Sequence, residues 1–333
     1  MVVVFKSGGK SKGPSNKPHK GPSSAEDHVE PKRPILHKPK IDKLSVVLPI
    51  ENLQERDHVI HALNGMIMLG GPTGFYAPGT KKGGYKQSVR IHSYTKAGHP
   101  SKEFMLVQAN PSNEKKAFMR CEWNPARLGP VGFAQMKHEM ETEVLPNWLV
   151  KLISLGRVTR LDIAVDLRGT HMDDLIIRNK QSRAMTLITG TDGRTETIYF
   201  GKPKSNQLSA YDLVKKAKAK GLPIPKVPMT RIEKRWKNPG MVKELPNLKN
   251  PLSGITIYHP DPISYHGPKV GYESFRNLCQ VRGVKRALEQ QPYTMKKLTK
   301  PWLEAQRAKW WAPNALWSHW PTVLENAGLA SKE

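Results

Sequence analysis

Arginines and carboxylates recur at alternate positions in a segment with the pattern of a β-strand. In Arg160–Arg168, with the sequence RLDIAVDLR, apolar residues alternate with Arg160, Asp162 and Asp166. Because side chains alternate between the two faces of a strand, the charged residues are predicted to share one face, with the apolar residues facing a core. Carboxylates on one face can share a divalent cation of the Mg²⁺ or Mn²⁺ type, or bracket an arginine. The alternative interpretation is a solvated strand face with salt bridges.

Two further segments repeat this pattern. One places Arg120 two residues before Glu122, and the other alternates Arg231, Glu233 and Arg235. Three strands that each carry arginine and a carboxylate could assemble one face of a sheet that binds both metal and phosphate. The predicted metal ligands are Asp162, Asp166, Glu122 and Glu233.

A tyrosine precedes a run of lysines in Ser209–Lys218, SAYDLVKKAK. The spacing predicts a basic helix over Tyr211–Lys220, in which Lys215 lies one turn beyond Tyr211 on the same helix face. A tyrosine phenol has an ordinary pKa of about 10, and a neighbouring cation or metal ion favours the phenolate. Attack of that phenolate on a DNA phosphodiester would leave a phosphotyrosyl link. The alternative is that Tyr211 packs against the sheet, and Tyr199 has the pattern of a strand residue.

The charge of the chain points to a polyanionic partner. Its 333 residues include 54 Lys and Arg against 28 Asp and Glu, a formal net charge of +26, and the pI is about 10.0. Release of counterions makes nucleic acid the natural partner of such a chain. A ribosome-like structural protein and a membrane-surface binder are the alternatives.

Several classes of protein are disfavoured by composition. No run of eighteen or more apolar residues predicts a membrane span, and the N-terminal apolar run is too short for a secretion signal. The two cysteines, Cys121 and Cys279, cannot form a zinc cluster and are typical of a reducing cytoplasm. We therefore expect a cytoplasmic protein.

Tryptophan is concentrated near the C-terminus. Five of the eight tryptophans fall in the last forty residues, interleaved with lysine, arginine and histidine. Aromatic rings among cations can form a stacking platform for unpaired bases, for which Trp310 and Trp311 are the candidates. A small helical core or a protein-docking surface explains the same cluster equally well.

The order of apolar patterns predicts an α+β fold, an antiparallel sheet with helices on its faces, followed by a smaller, mostly helical C-terminal unit. We expect a disordered basic arm over residues 1–44, a catalytic domain over 45–240, and a proline-containing linker with a Trp-rich helical unit over 241–333. Order is expected to begin with a strand at Lys43–Ile50, and Asp173–Lys180 is predicted to be a short helix. No internal repeat is detectable.

Four segments in one order resemble the filamentous-phage gene II/X replication proteins and the broader rolling-circle initiators of plasmids. They cover roughly residues 85–240, and the arm and the C-terminal unit lie outside them. The matching segments are Arg120–Gly129, Thr159–Asp166, Ser209–Lys216 and Thr230–Arg235.

The resemblance implies a fold related to the histidine-hydrophobe-histidine endonucleases, with a degenerate metal motif. It implies that Tyr211 is the nucleophile and keeps the 5′ end of the nicked strand, and that Asp162 is a metal ligand or structural acid. Arg160, Glu122 and Glu233 fall on the other motif positions. The family usually has lysine two residues after the tyrosine, where this chain has Leu213, so that Lys215 or Lys216 would substitute.

Taken together, the residues and the resemblance predict a rolling-circle replication initiator of a phage or plasmid. It would nick one strand at an origin with Mg²⁺ or Mn²⁺, bind origin duplex and single strand, and work with host replication proteins. Catalysis is assigned to Tyr211, Lys215 and Arg160, and DNA binding to Arg120, Arg231, Arg235, Lys216, Lys218, Trp310 and Trp311. A non-enzymatic repressor or single-strand binder, and an RNA-binding or ribosome-associated protein, are the alternative functions.

Overall fold

The computed structural model describes residues 3–5, 33–73, 76–79, 84–182, 184–202, 205–265 and 267–330. The strands are β1 (Val3–Phe5), β2 (Ile35–Leu36), β3 (Lys40–Leu48), β4 (Tyr76–Pro78), β5 (Tyr85–Tyr94), β6 (Pro100–Pro111), β7 (Met119–Trp123), β8 (Arg157–Arg168), β9 (Ile176–Asn179), β10 (Met185–Thr189), β11 (Thr195–Phe200), β12 (Leu208–Asp212), β13 (Met229–Met241) and β14 (Ile255–Tyr258). The α-helices are α1 (Leu53–Thr73), α2 (Pro125–Glu139), α3 (Trp148–Leu155), α4 (Leu213–Ala219), α5 (Lys269–Arg282), α6 (Val284–Glu289), α7 (Tyr293–Ala305), α8 (Pro313–Trp317) and α9 (Trp320–Asn326).

A large sheet carries most of these strands, in the order β1-β10-β11-β12-β13-β8-β3-β7-β6-β5-β4, and β2 pairs with β8. Neighbouring strands from β10 to β4 are antiparallel. With helices against this sheet and a helical C-terminal region, the fold is α+β, which confirms the predicted class.

The sheet consists of two halves with the same strand order. From the centre outward, one half runs β3, β7, β6, β5, β4 and the other runs β8, β13, β12, β11, β10. In each half, the strand that comes first in the sequence lies at the centre of the sheet and pairs with the strand that comes last. The remaining strands follow outward in the reverse of their sequence order. The chain therefore contains a topological repeat that the sequence does not reveal.

The two faces of the sheet differ in polarity, as the alternation in β8 predicts. Leu161, Ile163 and Val165 are fully buried in the core on one face, whereas Asp162 and Asp166 lie on the other. Because the strand is central, all of its side chains from 161 to 167 are shielded from solvent. The polar face is the one that can hold a functional site.

Helices α1, α2 and α3 cover the apolar face of the first half. Val59 and Leu63 of α1, Phe133 of α2 and Leu152 of α3 are buried against it in one core cluster. Burying such a side chain contributes about 1.5–3 kcal/mol. This packing fixes the strands whose opposite face carries the arginines and carboxylates.

Two tryptophans of the C-terminal region pack into the cores of the large sheet. Trp320 belongs to the core of the first half, and its indole donates a hydrogen bond to the carbonyl oxygen of Leu245 at 2.7 Å. Trp311 belongs to the core of the second half, beside the small β9–β14 sheet. Helices α5, α6 and α7 instead form a third hydrophobic cluster, in which Phe275, Val284 and Trp302 pack together with Ile176 of β9.

Three local predictions are wrong. Asp173–Lys180 is predicted to be a helix but contains a single 3-10 turn followed by β9, because Ile176 and Ile177 are needed in the core. Strands β1, β2 and the first part of β3 lie before residue 45, so parts of the segment predicted to be a disordered arm belong to the sheet. The predicted helix over Tyr211–Lys220 begins only at Leu213. Residues 6–32 of the predicted arm lie outside the described residues.

Candidate active site on the polar face of the sheet

Strands β7, β8 and β13 bring the three predicted arginine–carboxylate segments onto one face. Glu122, Asp162 and Glu233 line a single cleft of about 410 Å³ on that face. In the strand order β13-β8-β3-β7, strand β3 lies between β8 and β7, and it contributes Lys43 to the same cleft. The predicted assembly of these three strands is thus present in the structure.

Asp162 is held by two guanidinium groups. Arg160, on the same strand, places its Nε at 3.0 Å from both carboxylate oxygens of Asp162 and also donates through Nη2. Arg235, opposite Asp162 on β13, approaches to 3.4 Å. The Nε of Arg235 is buried and has no hydrogen-bond partner among the described residues. This Nε, which lies 3.4 Å from Asp162 without forming a hydrogen bond, can donate to a phosphate oxygen of a ligand in the cleft.

Glu122 is held by one cation on each side. The Lys43 Nζ and the Arg120 Nη2 each lie 2.5 Å from a carboxylate oxygen of Glu122. Arg120 also donates to Ser45 Oγ at 3.0 Å and to Gln108 Oε1 at 2.8 Å. With these donors engaged, Arg120 acts here mainly as a fixed support for Glu122.

Asp166 stands apart from the other predicted metal ligands. It is four residues from Asp162 along β8, and it is not one of the described residues that line the cleft. Arg231 clamps it through Nε at 2.6 Å and Nη2 at 3.0 Å, and Lys40 adds a contact of 2.5 Å. Burial acts to raise the pKa of Asp166, but these cations outweigh it, and the pKa lies below its usual value. The geometry makes Asp166 the anchor of Arg231, whose Nη1 reaches Asp42 at 2.9 Å.

Tyr211 lies on this polar face, in β12, opposite Arg231 of β13. Its hydroxyl donates a hydrogen bond to Oε2 of Glu233 at 2.8 Å. The side chain is only 3% exposed. Burial and then the charge of Glu233 raise the pKa of the phenol above its ordinary value of 10.0. The Tyr211 hydroxyl is therefore paired with a carboxylate, and its buried position disfavours the phenolate.

The lysines of α4 occupy different places from those predicted. Lys216 lies over Tyr211, with its Nζ 3.4 Å from the ring centroid, and burial lowers the pKa of that ammonium. Lys215 points away and pairs with Asp192 at 2.8 Å and Glu196 at 3.7 Å. The helix starts after Asp212, whose side chain accepts a hydrogen bond from the Lys215 backbone N–H, so Tyr211 shares no helix face with Lys215. Assigning catalysis to Lys215 on that ground was wrong.

Further residues of the cleft were missed in the sequence. Asp42, Lys43, Phe104, Arg127 and Lys220 line it. Asn124 caps the first turn of α2 by accepting from the Arg127 backbone N–H at 3.1 Å, a start signal that Asn-Pro gives in the sequence. Lys218, predicted to bind DNA, is exposed on α4 but does not line the cleft among the described residues.

The two tryptophans predicted to form a stacking platform differ in exposure. Trp311 is 7% exposed, and its indole donates to the carbonyl oxygen of Ile255 at 3.1 Å. Trp310 is half-buried against the same core and meets His259 edge-on at 6.3 Å. The alternative of a packed core holds for Trp311, because a buried indole has no free face for a base, whereas Trp310 keeps part of its surface exposed.

The carboxylates of the cleft have the chemistry that a hard divalent cation requires. Glu122, Asp162 and Glu233 offer oxygen donors of the type that Mg²⁺ and Mn²⁺ prefer. Guanidinium and ammonium groups hold these oxygens apart, and no group of three His, Cys, Asp or Glu side chains converges on one point among the described residues. The donor set fits such an ion in kind, and binding would require the ion to replace an arginine or lysine.

No sequence profile of a known protein family matches this chain, and no curated protein matches it. Among solved structures, the chain is similar to the rolling circle replication initiator protein from Geobacillus stearothermophilus, with 19% sequence identity and a TM-score of 0.37. The similarity covers 74% of this chain and 97% of that chain. None of the helices in the described part of the chain is long and apolar enough to cross a membrane.

Proposed function

We propose that this chain cleaves one strand of DNA by attack of Tyr211 on a backbone phosphate, and that it initiates rolling-circle replication in this way. One observation carries the proposal. The Tyr211 hydroxyl donates to Glu233 at 2.8 Å, and Glu233 lines a cleft in which Arg160 and Arg235 surround Asp162. A nucleophile paired with a base beside a cluster of guanidinium groups suits phosphoryl transfer.

The reaction can be written with each atom accounted for. The Tyr211 hydroxyl gives its proton to Glu233 as its oxygen forms a bond to phosphorus, and the bond from phosphorus to the 3′ oxygen breaks. The 3′ oxygen takes a proton, for which we assign Lys216 as donor, because burial lowers the pKa of its ammonium. The 5′ end stays on Tyr211. In the reverse reaction, a 3′ hydroxyl would attack the phosphotyrosyl bond, Tyr211 would leave with its proton restored, and the strand would be rejoined.

The cations supply the electrostatic part of the mechanism. Charge builds up on the phosphate oxygens during in-line transfer, and fixed donors stabilise it without reorganisation. Arg235 has a buried donor available for this role, and Arg160 lies next to it on Asp162. A net charge of +26 favours a DNA strand over a small phosphate ester as the substrate.

Access to Tyr211 requires a movement of α4. Lys216 lies over the ring, and Tyr211 is buried. The helix has seven residues and follows β12 directly after Asp212. A DNA phosphate that binds the ammonium of Lys216 would draw this side chain away from the ring and expose the Tyr211 hydroxyl.

A divalent ion would take oxygen ligands from among Glu122, Asp162 and Glu233, in place of a cation that now holds the carboxylate. When bound, Mg²⁺ or Mn²⁺ polarises the scissile phosphate and makes it a better electrophile. The assignment to the gene II/X type of initiator rests on the four matching sequence segments, and it predicts that the same protein also rejoins the displaced strand.

A nicking assay with supercoiled DNA tests the proposed function. Supercoiled origin plasmid is incubated with the protein and Mg²⁺ or Mn²⁺, then analysed for relaxed circles and for DNA that carries covalent protein. Tyr211→Phe should abolish both products, and Tyr199→Phe should keep them, since Tyr199 lies one strand further out, opposite Ser209. Loss of nicking in Tyr199→Phe alone would assign the nucleophile to β11. If the wild-type protein binds DNA without cleaving it, the alternative of a non-enzymatic repressor or single-strand binder is favoured instead.

A further inference from the structure

Phe104 is an exposed aromatic residue at the rim of the cleft. It belongs to β6 and is 36% exposed, and it is a member of none of the three hydrophobic clusters. Phe104 lies two residues from Leu106, which pairs with Glu122 of β7, so Phe104 shares the polar face. It lines the same cleft as Glu122, Asp162 and Glu233.

Two side chains of β5 flank this ring. The guanidinium of Arg90 lies 5.3 Å from the centroid of Phe104. His92 pairs with Phe104 in the strand register, and the two rings are 5.4 Å apart at an angle of 48°. His92 is also held by a hydrogen bond with the carbonyl oxygen of Ser101 at 2.9 Å. The ring is thus flanked by a cation and a tethered aromatic, beside an open cleft.

We infer that Phe104, with Arg90 and His92, forms a stacking subsite for an unpaired base of the DNA strand in the cleft. Bases stack on aromatic side chains regardless of which base it is, and the exposed ring of Phe104 lies in the cleft where the strand would bind. Arg90 adds a cation next to the ring for the backbone of that nucleotide. This inference rests on the proposed function in so far as the bound strand is the one that is nicked.

The subsite lies well away from the nucleophile. Five strand spacings separate β12 from β6, which at about 4.8 Å each is about 24 Å across the sheet. The stacked base is therefore several nucleotides from the scissile phosphate. Phe104 holds the strand in place and takes no part in the chemistry.

Binding measurements with and without bases isolate the stacking contribution. The probes are a labelled 20-nucleotide oligo(dT) and an abasic chain of the same length and charge, each bound to wild-type protein and to Phe104→Ala. We expect Phe104→Ala to bind oligo(dT) about tenfold more weakly, within the range known for one base stack. Its affinity for the abasic chain should not change.

Lys220→Ala is the matched control, because Lys220 is an exposed cation that lines the same cleft. This variant should bind both probes more weakly by the same factor, as expected for the loss of a phosphate contact. Phe104→Tyr should retain the preference for oligo(dT), and Phe104→Leu should lose it while keeping an apolar side chain. Thermal unfolding of each variant confirms that the fold persists.

The inference would be overturned if Phe104→Ala weakened binding of both probes equally, or if it weakened binding of neither. The same holds if Phe104→Leu binds oligo(dT) as wild type does. These measurements need binding alone, so they succeed or fail independently of whether the wild-type protein nicks supercoiled DNA.

Discussion

The hydroxyl of Tyr211 and the carboxylate of Glu233 form a hydrogen bond of 2.8 Å between neighbouring strands β12 and β13. The two residues are not directly opposite in the register, where Tyr211 faces Arg231 and Glu233 faces Ser209. The contact is therefore diagonal, a separation that long side chains bridge. It places a carboxylate on the hydroxyl of the proposed nucleophile, while Arg231 lies opposite Tyr211 on the neighbouring strand.

The first prediction concerns Glu233→Gln. The amide cannot accept the phenolic proton as a base, so the rate of nicking at neutral pH should fall about 10²–10⁴-fold, the usual contribution of a positioned general base. The amide keeps the size of the side chain and can still accept a hydrogen bond, so the fold should persist. Single-turnover nicking rates at saturating protein measure the effect.

The pH dependence separates two ways of activating Tyr211. Its pKa is raised above 10.0, chiefly by burial, so the phenol stays protonated from pH 7 to pH 9. A pre-formed phenolate would make the rate climb about tenfold for each pH unit below that pKa. With Glu233 as the base, no such climb is expected in wild type, whereas Glu233→Gln should show one. A steep rise in the wild-type protein would rule out Glu233 in this role.

The second prediction concerns the divalent ion. Asp162→Asn removes a charged oxygen ligand from the cleft and should lower nicking by about 10²–10³-fold, comparable to the loss of one group that stabilises the transition state. Excess Mn²⁺ should restore part of the activity by mass action. In thermal unfolding, Mn²⁺ should stabilise wild type, since an ion that binds only the folded state raises its stability.

Asp166→Asn is the control for this experiment, because Asp166 is clamped by Arg231 and Lys40 outside the cleft. This variant should be less stable than wild type, but Mn²⁺ should raise its thermal stability by the same amount as in wild type. Nicking that is unaffected by EDTA, together with full activity of Asp162→Asn, would falsify the metal site.

The third prediction follows from the buried Asp166–Arg231 pair. Removing one partner of such a pair costs about 3–5 kcal/mol, so Asp166→Asn should lower the free energy of unfolding at pH 7 by about that amount. The folded-state pKa of Asp166 lies below the ordinary 3.8. Its ionised form therefore stabilises the fold above that pH, and the contribution is lost as the pH falls through the folded-state value.

The difference in stability between wild type and Asp166→Asn should consequently be constant near neutrality and shrink below about pH 4. Urea unfolding at pH 7, 5 and 3 measures it. A difference that does not change between pH 7 and pH 3 would show that the carboxylate charge is not what holds this pair.

Much of the site could be predicted from alternation in single strands. Asp162, Glu122 and Glu233 share one face because each lies at an even spacing from an arginine in a strand-like segment. That pattern alone predicted a shared polar face. What the pattern could not give is which strands are neighbours, because β3 inserts between β7 and β8 and supplies Lys43 from a distant part of the sequence.

The placement of Tyr211 shows how one local signal was misjudged. Asp212 is a strong helix cap, and a helix that begins after it leaves Tyr211 in the preceding strand. The lysine run suggested a longer helix and an activating Lys215. The C-terminal tryptophans were misjudged for another reason, since the partners that bury them, such as Leu245 for Trp320, lie far away in the sequence.

The last prediction distinguishes packing from DNA contact at Trp311. The side chain is buried in the core of the second half, and its indole N–H is bonded to the carbonyl oxygen of Ile255. Trp311→Ala should therefore lower the free energy of unfolding by about 3–5 kcal/mol, as for other large core truncations. Urea unfolding measures that loss, and binding to single-stranded and duplex oligonucleotides is compared at a temperature where the variant remains folded. Affinity of the folded protein for both substrates should match wild type, because the indole has no exposed face on which a base could stack. Unchanged stability with a selective loss of single-strand affinity would instead restore the stacking platform that the sequence predicted.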